Sequence, residues 1–201
     1  MTRLAVDDRR RLLVEAAARV VARDGIAEAS TRAITTEAGM TRGTFHYCFR
    51  SKDELFEELV RMLVKDMIDA ALNVWDDGAD LATNLRAGID AIFRTGIADP
   101  DGELFSYELT VYALRRTDTA VARNQYDDYS RQATEYLTFV ADRAGIRWTL
   151  PMDQLARMVA VMVDGSVLNW LADRNSELAA ATLGDFAGML TGLAVPASRS
   201  A

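Results

Sequence analysis

The chain carries one cysteine, Cys48, and one histidine, His46, among 201 residues. A single thiol excludes an internal disulfide, and neither residue sits in a zinc-type spacing. With one imidazole there is no evident nucleophile–base pair, and no glycine-rich phosphate loop or metal cluster occurs. Proline is scarce, at three residues, so long helices meet little obstruction. Long uncharged apolar runs are lacking too. The most apolar stretch, residues 155–171, contains Arg157, Asp164 and Asn169 and reads as too short and too charged for a membrane span. The first residues are charged (Arg3, Asp7, Asp8, Arg9, Arg10, Arg11), with no apolar run of signal-peptide type behind them. No internal repeat, low-complexity linker or sustained strand-type alternation is present. These absences describe a soluble cytoplasmic protein without cofactor or metal.

What remains is helical. Half the residues are hydrophobic, and they recur at three- and four-residue intervals almost everywhere. Residues 7–24 place Leu12, Leu13, Ala16, Ala17, Val20 and Val21 on one stripe, closed by Gly25. Ser30 or Thr31 caps a short helix reaching Ala38, and Thr41 caps another through about Cys48. Ser51-Lys52-Asp53-Glu54 has the form of a capping box opening a long helix with Leu55, Leu59, Met62, Leu63, Leu72 and Trp75. Further helices are expected over 80–97, 103–116, 118–144, from Pro151 to about Asp173, and over 178–193, with a frayed tail from Pro196. The expected fold is all-α, about nine helices, three short ones followed by six.

Charge separates the chain into two parts. Residues 1–52 hold ten Arg and Lys against six Asp and Glu, a net +4, while residues 53–201 hold thirteen against twenty-four, a net −11. A basic head on an acidic body can set one end on phosphates while the rest is repelled. The division expected is therefore a head over 1–52 and a helical body over 53–196.

Within the head, residues 31–56 are two short helices joined at Gly39, where glycine suits a backbone with positive φ. Ile34, Ala38, Met40, Phe45 and Phe49 can hold the helices together. Thr36, Glu37, Arg42, Gly43, Thr44, His46 and Tyr47 then face outward, as a helix entering a major groove requires. The run Ala38-Gly39-Met40-Thr41-Arg42-Gly43-Thr44-Phe45-His46-Tyr47-Cys48-Phe49-Arg50-Ser51-Lys52-Asp53-Glu54-Leu55-Phe56 resembles the signature of the TetR family. There an Ala-Gly turn opens a Ser/Thr-started recognition helix, an aromatic run ends in Phe, and Ser-Lys-(Asp/Glu)-x-Leu follows. The preceding helix, with Ala16-Ala17 and its Asp24-Gly25 exit, matches as well, so the resemblance covers about residues 10–56.

That resemblance implies a DNA-binding regulator. It places Arg42, Gly43 and Thr44 on base edges and Thr31, Thr41, His46, Tyr47 and Lys52 at or near phosphates. The chain departs from the pattern in two places: His46 stands where tyrosine is usual and Cys48 where histidine is usual. His46 can still donate to a phosphate, with a charge that depends on pH near neutrality. Cys48 reads as a small core filler.

In the body, the run 108–116 (Glu-Leu-Thr-Val-Tyr-Ala-Leu-Arg-Arg) and the run 162–168 (Met-Val-Asp-Gly-Ser-Val-Leu) resemble the C-terminal domain of BetI-type members, which implies inducer binding and dimerisation. The segment 155–171 is apolar nearly all round, so one face satisfies its own core and the other calls for a partner. Val161, Gly165 and Leu168 from this helix, with Phe186, Met189 and Leu190 from the last one, are the expected contacts of a four-helix homodimer interface. Candidates for an apolar ligand pocket are Trp75, Phe93, Phe105, Glu108, Tyr112, Gln125, Tyr129, Met162 and Asn169. The function expected is a repressor that binds a pseudo-palindromic double-stranded operator as a dimer and is released by a small molecule. An enzyme and a helical interaction module without DNA are the alternatives. Ligand turnover would mark the first, and DNA affinity indifferent to Arg42 and Lys52 the second.

Overall fold

The computed structural model describes residues 5–115 and 119–197; Arg3, Arg116 and the tail 198–201 lie outside them. Among the described residues there are nine helices and two three-residue strands: α1 Val6–Asp24, α2 Thr31–Glu37, α3 Arg42–Cys48, α4 Lys52–Asn73, α5 Leu81–Ala98, α6 Pro100–Leu114, α7 Ala120–Ala144, β1 Ile146–Trp148, α8 Met152–Asp173, α9 Ser176–Thr191 and β2 Ala194–Pro196.

Local chemistry accounts for the boundaries. The Ser30 hydroxyl accepts the Ala33 N–H at 3.2 Å, and the Thr41 hydroxyl accepts the Thr44 N–H at 3.2 Å. The Ser51 hydroxyl takes the Glu54 N–H at 3.0 Å, while the Glu54 carboxylate reaches back to the Arg50 N–H at 2.8 Å, one residue earlier than in the reciprocal box. Pro100 opens α6 in its first turn, where its missing N–H costs nothing. The helix therefore starts three residues sooner than its apolar pattern indicates. Asn175 caps α9 through the Leu178 N–H at 3.0 Å.

The described residues form two compact units, the first comprising residues up to Leu63 with Asp101–Tyr126, the second Val64–Pro100 with Asp127 onward. The first unit thus contains α1–α3, the start of α4, nearly all of α6 and the start of α7. Its core is Leu13, Ala16, Ala17, Val20, Ile34, Phe45, Phe49, Leu55 and Phe56 joined by Phe105 and Leu109, all buried.

In the second unit α5, α8 and α9 pack on one another. Leu85, Ile89, Ile92 and Phe93 of α5 share a core with Leu155, Ala156 and Val159 of α8 and Leu183, Phe186, Ala187 and Leu190 of α9, while Tyr136, Leu137 and Val140 of α7 are buried in the same unit. Each of the leucine, isoleucine, valine and phenylalanine side chains contributes roughly 1.5–3 kcal/mol by leaving water. Buried Asn84 fastens the turn before α5: its carbonyl accepts the Asp76 N–H at 2.9 Å and its amide donates to the Asp76 carbonyl at 2.8 Å. The strands β1 and β2 pair antiparallel, Arg147 opposite Val195. Pro196 ends β2, and the Ala197 N–H reaches the Gly145 carbonyl at 3.0 Å, so these two residues are tied down rather than frayed. At 22 residues α8 is long and apolar enough to cross a membrane by length and composition alone, a test that core helices of proteins outside membranes also pass, so this one helix does not indicate a membrane protein. Leu155, Ala156, Val159, Val167 and Trp170 of α8 are buried, and the helix packs on α5 and α9.

Candidate nucleic-acid interface

The α2–α3 junction follows from one backbone requirement. Gly39 adopts φ +64°, and its N–H returns to the Thr36 carbonyl at 3.1 Å. A side chain there would be strained regardless of space. The Met40 N–H closes on the Thr35 carbonyl at 2.8 Å, so the chain reverses within two residues and α3 begins at a fixed angle. Ile34 and Phe45 are fully buried and Phe49 is 1 % exposed, whereas Ala38 and Met40 are half-buried edges of this core.

With Phe45 and Cys48 turned inward, the opposite face of α3 is open. Arg42, Gly43, His46 and Tyr47 are exposed, Tyr47 to 65 %. Thr44 is half-buried, its hydroxyl 3.1 Å from that of exposed Thr41. Thr31 is half-buried at the start of α2, with its carbonyl accepting the Thr35 hydroxyl at 2.9 Å. The imidazole of His46 meets the Phe45 ring edge-on at 5.5 Å. The Arg9 guanidinium lies 5.9 Å from the Tyr47 ring centre. Cys48 is buried, and burial pushes its thiol pKa up, so it is a filler rather than a reactive group.

Two ion-pair clusters brace this face from behind. Arg10 stacks 4.2 Å above the Phe49 ring, donates to the Cys48 carbonyl and lies within ion-pair distance of Glu54 and Glu58. It ties α1 to the α3–α4 junction, a role that side-chain spacing alone does not reveal. Glu37 receives Arg19 at 2.9 Å and Arg23 at 3.1 Å. Hydrogen bonds from these two guanidinium groups hold its carboxyl below the usual range.

Lys52 opens α4 half-exposed, its ammonium 5.3 Å from the Phe56 ring centre and 5.7 Å from that of Tyr112. The eight candidate DNA-contacting residues therefore lie in one unit along α2, α3 and the start of α4.

The other candidates divide between the units. Phe105, Glu108, Tyr112 and Gln125 belong to the first. Phe105 packs edge-on against Phe56 at 5.3 Å, and Glu108 faces the Ile26 N–H at 3.4 Å. Buried Gln125 bonds Thr110 at 3.0 Å and the Ser106 carbonyl at 3.2 Å. Trp75, Phe93, Tyr129, Met162 and Asn169 belong to the second unit. Trp75 donates to Asp77 at 2.8 Å and meets Phe139 edge-on at 5.5 Å. Phe93 is core and Tyr129 half-buried. Met162 and Asn169 line an open cleft of about 410 Å³ along α8 and α9, shared with Val161 and Gly165. Of the expected interface residues, Val161, Leu168 and Met189 are exposed to 57, 50 and 62 %, joined by Leu178. A Cβ on Gly165 would meet nothing within 4 Å. Phe186 and Leu190 are instead spent on the unit's own core.

Residues 13–59 match the family model described as bacterial regulatory proteins, tetR family. The chain is 30% identical over 172 residues to the nicotine-responsive transcriptional repressor HdnoR of Paenarthrobacter nicotinovorans, covering 85% of this chain and 88% of that one. It is 27% identical over 160 residues to the transcriptional regulator BetI of Agrobacterium fabrum, covering 78% and 74%. A crystal structure of a transcriptional regulator from Rhodococcus sp. Rha1 shares the fold, with TM-score 0.70, 24% identity and coverage of 93% and 99%. The similarity to HdnoR thus runs well beyond the head, and the exposed face of α3 lies inside the segment that defines the family. The chain belongs to the TetR family of bacterial transcriptional regulators and is not an enzyme.

Proposed function

We propose that the protein is a repressor that binds a pseudo-palindromic operator as a homodimer and leaves it when a small molecule binds the body. The observation that carries this reading is the α3 face. Arg42, Gly43, His46 and Tyr47 are exposed on a helix whose other side is locked by Phe45 and Cys48. Arg42, Gly43 and Thr44 read base edges, while Thr31, Thr41, His46, Tyr47 and Lys52 hold phosphates.

Dimerisation is supported by the exposed Val161, Leu168, Leu178 and Met189 on α8 and α9, large apolar side chains that a monomer would leave in water. Two copies of this helix pair make a four-helix interface about a two-fold axis, and the two recognition helices then meet successive half-sites. The response to a small molecule is supported by the similarity to a repressor named as nicotine-responsive. A ligand acts by binding one spacing of the heads better than the other. The protein works in the cytoplasm, with residues 1–52 as the DNA-binding part and 53–196 as the ligand-binding and dimerising part.

The test is selection of bound duplexes from a random pool at near-physiological salt, read by sequencing. An enriched inverted repeat is expected. Enrichment of a single unrepeated site, or none at all by the folded protein, removes the dimeric-reader account.

A further inference from the structure

Helix α6 touches the DNA-binding head and the first turns of α4 at three positions spaced along one face. Phe105, Glu108 and Tyr112 stand at i, i+3 and i+7 and share a stripe. Phe105 packs on Phe56 of α4, Glu108 faces the backbone N–H of Ile26 after α1, and Tyr112 lies 5.7 Å from the Lys52 ammonium. All of these groups belong to the same compact unit.

Resting on the reading of Lys52 as a phosphate contact, we infer that Tyr112 is a positioning residue for DNA binding, holding the Lys52 ammonium through its ring face and so placing the lysine's grip under the control of α6. A lysine has four rotatable bonds, and a free one must be ordered when it meets a phosphate. Here the ammonium is already placed between two aromatic faces, with the Phe56 ring 5.3 Å away, yet Lys52 remains half-exposed and reachable. Phe56 stands one turn on along the lysine's own helix, and its ring meets Phe105 of α6 edge-on at 5.3 Å. Tyr112 sits on α6, and a shift or rotation of that helix changes its distance from Lys52 directly. Such a shift also moves Glu108 against the turn that leads to α2. The control is therefore exerted through charge placement as well as head spacing.

The experiment is equilibrium binding of the full-length protein to a labelled duplex of mixed sequence, as a function of salt, because a phosphate contact acts on any sequence. Lys52→Ala is expected to weaken binding and reduce the salt slope by about one. Tyr112→Ala and Tyr112→Leu are expected to weaken binding about two- to fivefold, while Tyr112→Phe, which keeps the ring, stays near the native protein. Leucine keeps the apolar bulk without the π face, so a packing role alone would leave Tyr112→Leu close to native. The double variant Lys52→Ala/Tyr112→Leu should bind no more weakly than Lys52→Ala. If Lys52→Ala behaves as expected but the Tyr112 variants have no effect, tighten binding, or add in full to Lys52→Ala, the positioning role is overturned and the phosphate contact stands. If Lys52→Ala leaves affinity and slope unchanged, the phosphate contact itself falls and the inference with it.

Discussion

Replacing Gly88 by alanine puts the packing of the second unit to a quantitative test. A Cβ at that position would lie 2.2 Å from the Tyr136 hydroxyl, 2.9 Å from Cζ and 3.1 Å from Cε2. The ring has little room to swing aside, because Tyr136 is only 1 % exposed. Alanine is favoured over glycine within a helix by about 1 kcal/mol. Overpacking a filled core costs roughly 1–3 kcal/mol, and a 2.2 Å contact with a rigid buried ring belongs at the upper end. The net loss expected is therefore about 2 kcal/mol, a fall in melting temperature of roughly 4–8 °C for a chain of this size. Tyr136→Phe supplies the counterpart. Its hydroxyl has no hydrogen-bond partner among the described residues, and a buried unpaired polar group costs about 1–3 kcal/mol. Phenylalanine should leave stability unchanged or raise it by about 1 kcal/mol. In the double variant the nearest atom recedes to the ring carbon, so the two changes should couple favourably by about 1 kcal/mol or more. The assay is urea unfolding of all four proteins at one fixed protein concentration, because the stability of a chain that dimerises, as proposed, depends on concentration. An alanine variant as stable as the native protein, or a phenylalanine variant that is markedly weaker, would refute the packing argument.

Three further outcomes follow from the same structure. Arg10→Ala removes the stack on Phe49 and the bond to the Cys48 carbonyl, and should destabilise the head by about 1–2 kcal/mol; native stability in urea would show that this arginine is mere surface charge. Val161→Glu combined with Met189→Glu alters two exposed residues and should leave the fold intact by circular dichroism, while analytical ultracentrifugation finds monomers; persistent dimers would place the interface elsewhere. The Glu37 carboxyl is held below its ordinary range by Arg19 and then Arg23, so its stabilising effect is present above the ordinary carboxylate range and is lost as pH falls through the lowered one. Acid melts of Glu37→Gln should show a shallower loss of stability in that window than the native protein, and superimposable curves would contradict the pairing.

The helices of the head were legible because their signals are local. Ser30, Thr41 and Ser51 each cap within three residues, and Gly39 turns the chain where its neighbours cannot. The stripe of α1 likewise points to the core that it meets. What stayed hidden depends on partners remote in sequence. The pairing of β1 with β2 joins residues about fifty apart through strands too short to show a period. On α9, Phe186 and Leu190 look equivalent to Met189 in the sequence, yet the close approach of α5 takes the first two into the core and leaves the third outside. Phe105, Glu108 and Tyr112 read as a possible pocket lining because they are aromatic and polar on an apolar helix. Their engagement with Phe56, Ile26 and Lys52 emerges only once α6 is folded back onto the head. Arg10 was visible as one of several N-terminal charges, and its selection as the brace reflects Phe49 lying beneath it.

In the proposed dimer two heads read one operator at a fixed separation. With the enriched duplex in hand, five base pairs inserted between its half-sites turn one half-site by about half a helical turn. Affinity of the native protein for the original and the lengthened duplex, measured at the same salt, is the most direct test. The lengthened duplex is expected to bind no better than an isolated half-site. Equal affinity for both duplexes would mean that the heads act independently, and would contradict the fixed separation.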